Sequence, residues 1–161
     1  MSSNTVYLNE ATSTIATLWE RVSMTEPGSY YFAAAGGLGF AMPAALGVKL
    51  ANPERPVVAF IGDGSAHYSI TSLWTAARYQ IPVIFVIINN SGYGALKWFS
   101  QQFRTRNVPG LEVDGVDFVR LAEGYGIEAH RVATRVEFSR AFDNAIAGAA
   151  PVLIEATIER V

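Results

Sequence analysis

Two short polar stretches in an otherwise apolar chain carry the residue types that could do chemistry. The first is Gly62-Asp63-Gly64-Ser65. A carboxylate between two glycines can reach a cation while the backbone passes close to an anion, because glycine has no side chain in the way. If the following residues open a helix, its free N–H groups favour a phosphate. Alone, the tetrapeptide is also an ordinary turn sequence, since Asp-Gly is common in turns. The second stretch is Asn89-Asn90-Ser91-Gly92, which follows Gly64 after 24 intervening residues. Asp63 and Asn90 together offer a carboxylate and a carboxamide, with room for a backbone carbonyl. An oxygen-only set of this kind suits Mg²⁺ or Ca²⁺ rather than Zn²⁺. One carboxylate holds Mg²⁺ weakly, and phosphate oxygens would complete its octahedron.

That pairing needs two strand ends on one edge of one sheet. Pro56 to Ile61 and Val83 to Ile88 are unbroken apolar runs, and Ile70 to Tyr79 between them reads as a helix. A strand–helix–strand crossover leaves both strand ends on the same edge. The rest of the chain alternates in the same way. Ile15, Leu18, Trp19 and Val22 follow helical spacing, with Thr12 and Ser13 where an N-cap would sit. Tyr30 to Ala34 reads as a strand and Phe40 to Ala51 as a small-residue helix. Tyr93 to Phe103 reads as a helix, and 104 to 115 as a polar loop. Asp117 caps a short helix ending at Gly124. Glu128 to Val132 is a strand, Val136 to Ala147 a helix and Val152 to Ala156 a final strand. Strands apolar on both faces, separated by helices, predict an α/β fold: a parallel sheet flanked by helices on both faces. Such sheets bind ligands beyond the carboxyl ends of their strands. Gly36 to Gly39, Gly62 to Gly64 and Asn89 to Gly94 are the loops expected there.

The bulk numbers narrow the class. The chain has 161 residues, enough for one domain with a sizeable core. Half of it is hydrophobic and 16% is charged, against about 25% in ordinary globular chains. Buried strands use up apolar residues, and so does a face that packs on another subunit. With a net charge of −2 and no basic run, nothing points to nucleic acid. There is no cysteine, which excludes disulfides and thiolate metal sites. The polar stretch Met1 to Asn9 lacks the apolar core of a signal peptide, and no apolar run is long enough to span a bilayer. A soluble, cytoplasmic protein is expected.

Other phosphate sites are tested and fail. There is no G-x-x-x-x-G-K-[ST] sequence, and Met42 occupies the third small position of the dinucleotide fingerprint that Gly37-Leu38-Gly39 begins. An aspartyl-phosphate phosphatase would need a nucleophilic D-x-D upstream, and no Asp precedes Asp63. What the joint pattern does resemble is the thiamin-diphosphate enzymes. The resemblance rests on Gly62-Asp63-Gly64, the 24-residue interval and Asn89-Asn90, and it runs over nearly the whole chain. Tyr30-Tyr31-Phe32, the stretch from Gly36 to Gly47, Gly62 to Ser65 and Tyr93-Gly94-Ala95-Leu96 are most similar to members that convert aryl 2-oxo acids to aldehydes and CO₂.

The resemblance implies a thiamin-diphosphate-binding fold spanning residues 1–161 as one C-terminal cofactor domain. It implies Mg²⁺ held by Asp63, the Asn90 side chain and the Gly92 carbonyl; the family often carries a side chain where Gly92 stands. It implies that Thr12, Ser13, Gly64, Ser65 and Tyr93 line the diphosphate, and that the Gly36 backbone holds the aminopyrimidine. Leu38 would wedge beneath the cofactor, and Ala95, Leu96 and Phe99 would border the substrate channel. Read without the resemblance, Thr12 and Ser13 are helix caps, Leu38 is core, and Ala95, Leu96 and Phe99 are an ordinary helix face. His67 and His130 read as surface or turn residues.

No catalytic residue is expected in this chain. In the family, the catalytic Glu and the principal His residues lie in pyrimidine-binding and central regions, which are missing from this sequence. The expected partner is a pyrimidine-binding domain or subunit, the expected substrate a small 2-oxo acid, and the expected assembly a homo-oligomer that is inert without that partner. Acetohydroxyacid-synthase-like and split-subunit members of the superfamily are alternatives. So is a self-associating domain without cofactor activity.

Overall fold

A computed structural model describes residues 4–160. Its centre is one six-stranded sheet in the order β2-β1-β3-β4-β6-β5, with every pair parallel. The strands are β1 (Val6–Glu10), β2 (Tyr30–Phe32), β3 (Val57–Gly62), β4 (Val83–Asn89), β5 (Glu128–Val132) and β6 (Val152–Thr157). The helices are α1 (Ile15–Arg21), α2 (Ala41–Ala51), the single turn α3 (Asp63–Ala66), α4 (Ser72–Tyr79), α5 (Gly94–Gln102), α6 (Phe118–Gly124) and α7 (Arg135–Ala147).

Alternate strand residues fill two cores, as the two-residue period of a strand requires. Val6, Leu8, Val57, Ala59, Ile61, Phe85, Ile87 and Leu153 face α2, α4 and α6, where Met42, Leu73 and Phe118 meet them. Tyr7, Val58, Val86 and Ile154 face the other way, onto Phe142 and Ala145 of α7. Helices therefore cover both faces, as the unbroken apolar strands require. No helix among the described residues is long and apolar enough to cross a membrane.

Two sequence expectations are corrected. Val6 to Asn9, read as part of a polar N-terminus, form with Glu10 a fully buried strand inside the sheet; Met1 to Ser3 of that stretch lie outside the described residues. Its polar residues are buried because partners distant in sequence satisfy them. The Asn9 amide donates to the Tyr30 hydroxyl, and its carbonyl oxygen accepts from Ala11 N–H. Thr12 and Ser13 do not cap α1. They form a 3₁₀ turn, Thr12–Thr14, and α1 starts at Ile15 with no side-chain cap. Asp117 does cap α6, accepting from Arg120 N–H at 3.1 Å.

Candidate functional site

Between β1 and β3 the chain connections diverge, β1 leading outward to β2 and β3 leading the other way to β4. Loops at such a point splay apart and leave a crevice beyond the strand ends. An open cavity of about 480 Å³ lies there. Thr12 and Ser13 form one wall and Gly36 and Leu38 another. Gly62 to Ser65, Tyr68 and Gly92 to Leu96 form the floor and far side, and Val108 to Leu111 close one flank.

The two polar stretches meet at its base. β3 and β4 run in register to their ends, with Gly62 opposite Ile88. Asp63 is 2% exposed and Asn90 4%. Asp63 Oδ1 accepts from Gly64 N–H at 2.9 Å. Asp63 Oδ2 and Asn90 Oδ1 both accept from the one Gly92 N–H, at 2.9 and 3.2 Å. Two side-chain oxygens sharing one donor are necessarily close to each other. Burial pushes the Asp63 carboxyl above the ordinary carboxylate range, and the N–H groups of Gly64 and Gly92 partly offset it. The Gly92 carbonyl accepts from Gly94 N–H at 3.0 Å, which leaves its second lone pair for a cation.

Glycine is required by space here rather than by φ. A Cβ on Gly64 would overlap the Tyr93 ring, and one on Gly94 would come 2.8 Å from Asn90 Nδ2 and 3.2 Å from Ser13 Oγ. A Cβ on Gly92 would meet the Leu111 carbonyl at 2.7 Å and Lys97 Nζ at 2.8 Å. The site is thus an oxygen-lined cradle in which backbone stands where side chains would otherwise be. That donor set fits Mg²⁺ backed by phosphate oxygens.

Thr12, Ser13, Gly36, Leu38, Asp63, Gly64, Ser65, Gly92, Tyr93, Ala95 and Leu96 all line the one cavity. Asn90 lies beneath it through the shared Gly92 N–H. Leu38 is half-buried at the cavity wall and is no core residue. Phe99 is outside this lining. It is 48% exposed and its ring contacts those of Trp98 and Phe103. His67 is exposed against the Phe118 ring, and His130 lies on β5 beside Glu128 at 2.9 Å, so neither enters the cavity.

Several site residues carry no local signal in the sequence. Tyr68 lines the cavity beside Tyr93, whose phenol is pushed up by burial and then by that neighbour. The stretch 108 to 111 reads only as loop, yet Tyr93 N–H donates to the Leu111 carbonyl and Gly92 pairs with Glu112. Glu155, 2% exposed on β6, accepts from Asn89 Nδ2 at 2.7 Å and from Arg131 Nε at 3.0 Å. Asn89 Oδ1 then accepts from Ser91 N–H, which shapes the turn at Ser91, where φ is +58°. The first Asn of the pair thus orders the loop, and the second lies beneath the cavity.

Known proteins share the sequence and the fold of this chain. The family described as "Thiamine pyrophosphate enzyme, C-terminal TPP binding domain" matches residues 11–156. Benzoylformate decarboxylase of Pseudomonas aeruginosa (strain PAO1) is 53% identical over 150 residues, 93% of this chain and 28% of that protein. The structure of a thiamine diphosphate-dependent 4-hydroxybenzoylformate decarboxylase from Rhodococcus jostii RHA1 superposes with a TM-score of 0.96 at 51% identity. It covers 99% of this chain, and this chain covers 30% of it. Acetolactate synthase isozyme 3 large subunit of Escherichia coli (strain K12) is 46% identical over 92 residues, 56% of this chain and 16% of that protein. The chain spans less than a third of the length of these relatives.

Proposed function

This chain belongs to the thiamine pyrophosphate enzymes, as their C-terminal TPP-binding domain, and we propose that it is the cofactor half of a 2-oxo-acid decarboxylase acting on aryl 2-oxo acids. One observation carries the reading: Asp63 Oδ2 and Asn90 Oδ1 converge on a single N–H at the base of the cavity. Asp63, Asn90 and the free lone pair of the Gly92 carbonyl would hold Mg²⁺. Thr12, Ser13, Gly64, Ser65 and Tyr93 would line the diphosphate, and Gly36 and Leu38 would meet the cofactor's ring end. When bound, the thiazolium supplies the electron sink that takes up the electron pair left as CO₂ departs. The chain's own residues bind and orient. Ala95 and Leu96 give the mouth an apolar lining suited to an aryl group, with Phe99 beyond it on the same helix.

The identity to benzoylformate decarboxylase over most of the chain supports the aryl substrate class. The acetolactate synthase match supports a second reading, in which the same half-site serves carboligation. The product separates them: aldehyde and CO₂ in the first case, an acetohydroxy acid in the second.

The half-site is incomplete for turnover. Asp63 is the only acid lining the cavity among the described residues, and no histidine lines it. With Asp63 committed to the metal, no carboxylate or imidazole in the lining remains to move a proton at the substrate. We expect a pyrimidine-binding domain or subunit to supply those groups, whether fused to this chain or encoded separately, and we expect no CO₂ release from the purified chain alone. Calorimetry with thiamin diphosphate should show binding that requires Mg²⁺, and Asp63→Ala should abolish that Mg²⁺-dependent binding. Equal binding with and without Mg²⁺ in the parent chain would contradict the reading.

A further inference from the structure

Glu10 is an acid the binding scheme above leaves unused. It closes β1, is 4% exposed, and is absent from the lining of the large cavity. Among the described residues no Lys, Arg or His forms an ion pair with it. Its partners are backbone. Oε1 accepts from Gly39 N–H and Oε2 from Ala41 N–H at 2.5 Å. Ala41 is the first residue of α2, whose N-terminus has no side-chain cap of its own. A carboxylate from a strand some thirty residues earlier therefore does the capping, where its charge also suits the helix dipole.

The loop that this carboxylate ties down has little else to hold it. Cβ atoms built on Gly36 and Gly37 meet nothing within 4 Å, and a small void lined by Glu10, Gly36, Gly37 and Leu38 lies alongside. Apart from Gly36 N–H to the Ala33 carbonyl at 2.9 Å, the anchor at the far end is Glu10 on Gly39. The Glu10 carbonyl also accepts from Ser65 Oγ at 3.2 Å, on the metal side of the cavity. One residue thus joins the wall carrying Leu38 to the base carrying Asp63, with its side chain on the first and its backbone on the second.

We propose that Glu10 is a positioning residue that sets Gly36 and Leu38 against the ring end of the cofactor, while the diphosphate end stands without it. This rests on the cofactor reading above. A carboxamide at this position has one acceptor oxygen for two N–H donors and would turn its own NH₂ toward the second. Glu10→Gln should therefore loosen the loop without touching Asp63 or Asn90.

The test compares the parent chain, Glu10→Gln and Glu10→Asp, using calorimetry with Mg²⁺ plus thiamin diphosphate and with Mg²⁺ plus inorganic pyrophosphate. Glu10→Gln should lose about tenfold or more in affinity for thiamin diphosphate, the scale of one charge-assisted hydrogen bond, while pyrophosphate affinity stays within about twofold. Amide exchange at Gly39 and Ala41 should accelerate while the core strand amides of Val58 and Val86 stay protected. Glu10→Asp, which keeps the charge but falls short of both donors, should show the same selectivity, and it decides the matter if Glu10→Gln does not fold. Equal loss for both ligands, or no loss for either, overturns the proposal. If the parent chain binds neither ligand, the cofactor reading itself fails and the proposal falls with it.

Discussion

At the scale of single residues, the site is governed by what cannot fit. Gly92 shows this most sharply, because one of the obstacles is backbone. Gly92→Ala would drive a methyl group into the Leu111 carbonyl and the Lys97 ammonium. We expect a loss of about 1–3 kcal/mol in urea denaturation, the usual cost of overpacking. Trimming Lys97 in the same chain should not recover it, since the carbonyl remains. A double variant as stable as Lys97→Ala alone would show that the carbonyl moves away freely. This packing also explains why Asp63 and Asn90 were legible in the sequence while their surroundings were not. Asp63 and Asn90 stand in short polar breaks between apolar runs, which a linear reading detects. Tyr68, Leu111 and Glu10 reach the site only through contacts across the fold.

At the scale of elements, legibility followed burial. β3 and β4 are apolar up to their last residues and β6 opens on Val152-Leu153-Ile154, so all three were readable as strands. β1 carries Asn9 and Glu10, and it became a buried strand only because Tyr30, Gly39 and Ala41 provide partners. Terminal caps divide in the same way. Asp117 and Thr134 act locally, three residues from their targets, whereas the cap of α2 comes from another strand. The α7 N-terminus is a full capping box. Thr134 Oγ1 accepts from Glu137 N–H, and Glu137 accepts from the N–H groups of Ala133 and Thr134. Thr134→Ala should cost about 1 kcal/mol. The N–H of Ala133, then Thr134, holds the Glu137 carboxyl below its ordinary value of 4.5. A lowered folded-state pKa gives stability that is present above the unfolded value and lost as pH falls through the folded one. The stability gap between the parent chain and Glu137→Gln should thus be constant near neutrality and shrink as pH drops below about 4.5. A gap that persists well into the acid range would mean the carboxylate charge plays no part.

At the scale of the whole molecule, the surface is unusual for its exposed aromatics. Along α5 and just past its end, Leu96, Trp98, Phe99 and Phe103 are 52, 51, 48 and 73% exposed, with the rings of Phe99 and Phe103 stacked at 6.3 Å. Contiguous apolar surface of this kind mediates association. We therefore expect the chain to self-associate as its concentration rises in sedimentation velocity. Trp98→Ser with Phe103→Ser should shift the population toward monomer, and an unchanged profile would place the sticky surface elsewhere. The low charged fraction pointed to such a face, but the sequence alone could not assign it to α5, because helical periodicity there looks the same for buried and exposed stripes.

The threading of β1 between β2 and β3 has a practical corollary for anyone trimming this polypeptide. A fragment drawn around the recognisable motifs, beginning at Ala11 just before the Thr12-Ser13 pair, would keep every cavity-lining side chain and still lose the plank that joins β2 to the rest of the sheet. It would also discard the acid clamping α2 and the carbonyl steadying Ser65. Such a fragment would carry a complete parts inventory with no frame to mount it on.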